Sequence, residues 1–257
     1  MTATPLVRVK QPADGWVRLI LDKPPANILT MAMCDAVERT IDATAARSAT
    51  KLISIEGAGA HFSYGASVEE HAPDRVAEML PAFHRLIATL LSAPCPTAAI
   101  VQGRCFGGAL EVVLACDLVF ASDDARMGLP EIQLGVFPPA AAALLPLRIG
   151  AARATRVILS GEALSPEWWD EAGLLARPVS PSPLLAARSW FDMYLAPRSS
   201  VALRHAARAS RAMLRDQALA TLRTLEHQYL EELMASQDAV EGCAAFVAKR
   251  APVWRNC

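Results

Sequence analysis

The chain of 257 residues predicts an α/β body followed by a helical C-terminal region, and three features of the sequence predict it. Short apolar runs of strand length (WVRLIL, KLISIEG, PTAAIV, DLVFAS) alternate with longer runs of helical period through the first half. Small-residue loops follow two of those strand runs, GAGAHFSYGAS at 57–67 and GRCFGG at 103–108. From Ser182 onward every segment carries a helical pattern. In folds that wind between a sheet and its covering helices, ligands collect at the loops beyond the strand ends.

Composition narrows the function classes. Hydrophobic residues make up 53% and charged residues 20%, which excludes a disordered body. No apolar run reaches the ~18 residues of a membrane span. The opening MTATPLVRVK lacks a signal peptide's apolar middle, so a cytoplasmic protein is expected. Six cysteines without a CxxC pair argue against a disulfide framework and a zinc site. A net charge of -1 gives no reason to expect nucleic acid as a partner.

Taken in order, residues 6–10 and 16–21 read as strands, with Pro12 to Gly15 as the turn. Lys23 to Thr30 (KPPANILT) is a proline-stiffened loop, and Thr30 can cap a helix from Met31 to Arg47. KLISIEG is a strand. Val76, Met79, Leu80, Phe83, Leu86, Ile87, Leu90 and Leu91 recur at three and four, predicting an amphipathic helix from Asp74 to Ser92 that Pro94 and Pro96 end. PTAAIV is a buried strand. Gly107 and Gly108 open the helical run ALEVVLACD, and DLVFAS is the next strand. After Gly135 come short helices (FPPAAAALLPLRIG, AARATRVILSG, SPEWWDEAGLL) and a brief strand, LLARPV, at 174–179. A long helical run spans Ser199 to Ser236, and a closing helix spans Asp238 to Lys249. We divide the chain into an α/β core, 1–195, and a helical region, 196–257, suited to oligomer contacts and site cover. Arg204, Arg208, Arg211 and Arg215 form a stripe at helical spacing, read as a solvated or salt-bridged face, with an anionic ligand or a subunit contact as the other uses. His84 sits among apolar helix positions and reads as core or interface; Trp168 and Trp169 read as packing.

The stretch Gly103 to Gly135 carries the chemistry. The first N–H groups of a helix lack internal partners and sit at its positive end, so the Gly108 amide can face an oxygen gaining negative charge. Glu111, three residues on, lies on the same helix face. Glu131 follows Pro130 in a turn that can return opposite Glu111. Gly65, Ala66 and Ser67 form a second stretch of uncovered backbone. Amides flanked by two acids suit proton transfer beside an activated carbonyl. Glu69, Glu70 and His71 begin or precede a helix, where acids are favoured by the dipole alone.

Four ordered blocks, PPAN at 24–27, HFSYGAS at 61–67, VQGRCFGGALEVVLACD at 101–117 and ARMGLPEIQLGV at 125–136, resemble the crotonase (enoyl-CoA hydratase/isomerase) superfamily over essentially the whole chain, as does the closing DAVEGCAAFVAKR. The resemblance implies a repeated β-β-α spiral core. It assigns the amides of Ala66 and Gly108 to an oxyanion hole for a thioester carbonyl and makes Glu111 and Glu131 a catalytic pair acting on one water. Ala26 falls in the loop that holds the CoA adenine, and Tyr64, Ser67 and Val68 border the pantetheine arm and thioester. No cofactor is implied, coenzyme A being part of the substrate, and trimers or dimers of trimers are implied. The segment SYGASVEEH resembles the cyclohexa-1,5-diene-1-carbonyl-CoA hydratases of anaerobic benzoyl-CoA breakdown, which implies 1,4-addition of water to a cyclic dienoyl thioester. Pro138, Pro139 and an alanine run stand where many relatives have PGxGG, and Ala109 replaces a third glycine. The alternatives are a hydratase of linear enoyl-CoA esters and a non-catalytic RNA-binding relative that uses the arginine stripe.

Overall fold

A computed structural model describes residues 5–257. Strands β1 (Val7–Ala13) and β2 (Trp16–Leu21) form the opening hairpin. Helix α1 (Met31–Ala45) starts at Thr30, whose hydroxyl accepts the Met33 N–H at 3.2 Å. Then come β3 (Leu52–Gly57), α2 (Val76–Ser92), β4 (Thr97–Val101), β5 (Arg104–Phe106), α3 (Gly108–Ala115), β6 (Leu118–Ala121) and β7 (Arg126–Gly128). The remainder is α4 (Pro139–Ile149), α5 (Ala151–Ser160), β8 (Ala163–Leu164), α6 (Pro166–Glu171), α7 (Pro183–Tyr194), α8 (Ser200–His227) and α9 (Gln237–Val247).

The main sheet has the order β1-β2-β3-β4-β6, antiparallel only in the first pair. Every residue of β3 and β4 is buried, as expected of parallel strands covered on both faces. One face of the sheet, with Val17, Leu19, Ile53, Ile55 and Ala99, packs into the main core with α1, α2 and α3. The other, with Trp16, Leu52, Ala98, Ile100 and Phe120, is covered by Ala187 and Phe191 of α7. Trp16 also donates its indole N–H to Ser54 Oγ at 2.8 Å. A small second sheet, β5-β7-β8, carries the turn from β5 into α3 and, after β7, the segment that bears Glu131. Its two- and three-residue strands are too short to leave a period-two pattern in the sequence.

One expectation is corrected and two are refined. Residues 174–179 are not a strand: only Ala176 N–H to Val119 O, at 2.8 Å, and Ser180 N–H to Ala121 O, at 3.2 Å, tie this stretch to β6. Pro178 between them has no N–H to extend a ladder. The run from Ser199 to Ser236 is helical as expected but changes form: α8 ends at His227, opens into a π-helical turn, Gln228–Glu232, and tightens into a 3-10 turn, Leu233–Ala235. The arginine stripe is not a uniform surface. Arg211 is 4% exposed and donates to Leu90 O (2.9 Å) and Cys95 O (3.0 Å), while Arg204 donates to Ala45 O (2.8 Å). His84 is buried in α2 against Glu226 of α8, at 2.5 Å. Among the described residues no helix is long and apolar enough to cross a membrane.

Candidate active site

Two glycines set the backbone of the site. Gly65 has φ +98°, and a Cβ there would lie 2.5 Å from Phe106 O, so only glycine lets the 65–67 loop close against the start of α3. Gly107 has φ +55°, and its Cβ would lie 2.6 Å from Glu131 Oε1. The loop is pinned to Leu29, whose N–H donates to Gly65 O at 2.9 Å and whose carbonyl accepts the Ser67 N–H at 3.3 Å. Leu29 is held in turn by the neighbouring Asn27, fully buried at φ +47°, whose amide donates to the carbonyls of Ala58, His61 and Phe62 at 2.9, 3.1 and 3.2 Å. The PPAN segment therefore acts as a staple for the loop that carries Ala66.

The result brings two amides together. The position a Gly108 Cβ would take is 3.2 Å from Ala66 N, and among the described residues neither the Ala66 nor the Gly108 N–H has a hydrogen-bond acceptor. Gly108 is the first residue of α3, where amides are free and the dipole is positive.

Glu111, 4% exposed, projects from the first turn of α3. Its Oε1 accepts the Ala141 N–H at 2.7 Å, and the Ala140 amide also supports it. Both donors belong to the first turn of α4, so the proline-alanine segment supplies helix-terminal amides behind Glu111. Glu131 rides on the 3-10 turn Pro130–Leu134; the residue is half-buried, yet its Oε2 is enclosed with no partner among the described residues. Burial pushes the Glu111 carboxyl up to about 7, against the opposing pull of the two alanine amides. Burial also raises Glu131 well above the usual carboxylate range, and the neighbouring Glu111 raises it further. The charge of one acts on the other, so the two acids titrate as a pair.

One cavity of about 170 Å³ gathers these groups: Tyr64, Ala66, Val68, Gly108, Glu111 and Glu131 all line it. Ala26 and Ser67 do not. Ala26 stands behind the wall, its carbonyl accepting the Tyr64 N–H at 2.9 Å, and the Ser67 hydroxyl donates to Glu69 at 3.0 Å. Of the acidic-histidine trio, only His71 reaches the cavity. Glu70 instead accepts the Met31 N–H at the start of α1, at 2.8 Å. His71 Nδ1 lies 2.7 Å from Ser67 O, and burial lowers the imidazole's pKa, so the ring is neutral, with Nδ1 donating. Sequence reasoning missed Phe83, Tyr229 and Phe246 as walls. The period of α2 marks Phe83 as inward-facing without saying onto what, and no local pattern marks the other two.

A pair of neighbouring amides suits an oxygen that gains negative charge, and two coupled carboxyls suit the simultaneous delivery and removal of a proton. Residues 14–256 match the family described as enoyl-CoA hydratase/isomerase. The cyclohexa-1,5-dienecarbonyl-CoA hydratase of Thauera aromatica is 43% identical over 95% of this chain and 94% of its own length. The 2,3-dehydroadipyl-CoA hydratase of Escherichia coli (strain K12) is 33% identical over 93% and 94%. The crystal structure of an enoyl-CoA hydratase from Mycobacterium avium subsp. paratuberculosis K-10 superposes with a TM-score of 0.85 at 26% identity, covering 98% of this chain and 99% of that one. The chain is an enzyme of the hydratase type and belongs to the enoyl-CoA hydratase/isomerase family.

Proposed function

We propose that the enzyme adds water to a cyclic conjugated dienoyl-CoA, converting cyclohexa-1,5-diene-1-carbonyl-CoA to 6-hydroxycyclohex-1-ene-1-carbonyl-CoA in anaerobic benzoyl-CoA degradation. The observation that carries the reading is the convergence of the Ala66 and Gly108 amides with Glu111 and Glu131 on one mostly apolar cavity. The thioester oxygen accepts from the two amides, which draws electrons toward it and leaves the ring carbon β to the carbonyl electrophilic. One carboxylate takes a proton from water as the new C–O bond forms at that carbon, and charge collects on the thioester oxygen. The other carboxyl, protonated, gives its proton to the far end of the diene, the remaining double bond moves between the two, and the thioester is restored. Water is the only reactant added and the step is redox-neutral, so coenzyme A enters as part of the substrate and no further cofactor is required.

The cyclic ester is favoured over a linear one by the 43% identity to the Thauera hydratase and by the stiff wall of Pro138 and Pro139. The RNA-binding alternative loses its support, since Arg211 of the proposed stripe is buried and paired. In the same reading the enzyme is cytoplasmic. Exposed apolar side chains of the helical region such as Val201, Met213 and Phe246 serve contacts in a homotrimer or a dimer of trimers, which light scattering on the purified protein would measure. A turnover assay comparing the cyclic dienoyl-CoA with crotonyl-CoA tests the substrate. Faster hydration of the cyclic ester is expected, and preference for crotonyl-CoA would return the enzyme to linear chains.

A further inference from the structure

Two buried side-chain oxygens facing this cavity have no hydrogen-bond partner among the described residues: Glu131 Oε2 and the hydroxyl of Tyr229. Tyr229 is 1% exposed and comes from the helical C-terminal region, far along the chain from both glutamates. It lies in the π-helical turn Gln228–Glu232 that follows α8, and turns of this type are found disproportionately at functional sites. The ring is fixed by an edge-on contact with Phe137, also a cavity wall, at 5.5 Å between centroids. A phenol buried only for packing would be expected to find a partner or to be phenylalanine, because an unpaired buried hydroxyl is costly. Burial, with Cys243, Glu131 and Glu111 nearby, raises the phenol's pKa, so the group stays protonated and can donate.

We infer that the Tyr229 hydroxyl, together with Glu131, holds the oxygen that passes between water and the acyl group. The inference rests on the hydratase function proposed above and adds a contact to the same site. In hydration, Tyr229 donates to one lone pair of the attacking water while a carboxylate takes the water's proton, and the remaining lone pair forms the C–O bond. In the reverse direction the same O–H donates to the departing hydroxyl as it takes up a proton. Tyr229 itself gains and loses no proton overall.

The test is Tyr229→Phe, which keeps the ring on Phe137 and removes only the hydroxyl. Hydration kcat is expected to fall roughly 10- to 100-fold with KM for the dienoyl ester little changed, the cost of leaving the reacting oxygen without its buried hydrogen-bond donor. Two binding measurements by calorimetry separate this from a structural role. The variant should bind the hydroxylated product ester more weakly than wild type, yet bind the saturated ring ester without a hydroxyl equally well. Unchanged kcat, or equal loss of affinity for both esters, overturns the inference. A wild-type enzyme that turns over neither ester would sink the proposed reaction instead, and the binding pair would still decide the contact.

Discussion

The two ends of α3 handle buried charge in opposite ways. At its C-terminal end every group is answered. Asp117 accepts the Thr97 N–H at 2.8 Å and the Thr97 hydroxyl at 3.2 Å, and it pairs with Arg211 at 3.1 Å. Arg211 spends its other N–H groups on Leu90 O and Cys95 O, while Arg148 donates to Leu114 O at 3.0 Å and to Cys116 O. Cations at a helix C-terminus also complement its dipole. At the N-terminal end two carboxyls face a cavity, and one oxygen of Glu131 is left without a partner among the described residues. Burial raises the Asp117 carboxyl too, but Arg211 and Thr97 oppose it, whereas at the other end Glu111 adds to the rise at Glu131. Complete partnering marks charge that holds the helix in place; incomplete partnering marks charge available to a substrate.

Glu111→Gln and Glu131→Gln should break the functional end hardest. Each is expected to cost about 10²- to 10⁴-fold in hydration rate, the usual weight of a general acid or base. The fold should survive, with a stability signature of definite sign. The Glu111 carboxyl titrates at about 7 in the folded protein against 4.5 ordinarily, so the folded state holds this proton more tightly than the unfolded one. Wild-type stability from this group is then full below about pH 4.5 and declines as pH rises through 7. In Glu111→Gln that decline should shrink to the part that the buried Glu131 carboxyl contributes, which urea melts of the variant and wild type at pH 5 and pH 8 would reveal. A variant destabilised at both pH values would make Glu111 a structural acid like Asp117.

Arg211→Met is the complementary break. Removing one partner of a buried pair typically costs about 3 to 5 kcal/mol, because the other charge stays buried alone. Thermal melting should fall accordingly, while kcat per folded molecule, measured below the transition, should stay near wild type. Loss of kcat with intact melting would join the two ends of α3 into one functional unit.

Gly107→Ala tests the geometry of the acid pair without touching either acid. The added methyl would lie 2.6 Å from Glu131 Oε1 at a backbone φ of +55°, so the carboxylate must shift. A displacement of this kind is expected to lower kcat by roughly 10²-fold. An unchanged rate would mean that Glu131 need not hold this position.

How much of this was legible follows from the range of each signal. The apolar runs of β3 and β4, the period of α2 and the cap at Thr30 are local, and each was found where it was expected. Glu111 stands out in ALEVVLA because an acid there contradicts its surroundings. Arg211 is salt-bridged, as one reading of the stripe has it, but its burial is not legible, because helical spacing tells which residues share a face and not whether another element covers it. The 174–179 run reads as a strand, yet Pro178 denies it a ladder. Ala26 and Ser67 lie in the segments that shape the site yet outside the cavity itself, a distinction that a motif does not encode. Tyr229 enters through a π-helical turn, a deviation that the periodic pattern of α8 hides.

The smallest expected effect sharpens the comparison most, because one chemical edit can be made at both ends. Thr97→Val deletes a hydroxyl that donates to Asp117 and accepts the Asp117 N–H at 3.1 Å, while keeping the branched shape suited to β4. A buried donor left unpaired costs about 1 to 3 kcal/mol, so melting should drop while hydration kcat stays unchanged. Tyr229→Phe deletes a hydroxyl without a protein partner, so its melting should hold while its kcat drops. Crossed outcomes of this kind, measured on the two variants side by side, would separate the structural end of α3 from the working end. Parallel losses in both readouts would erase the distinction.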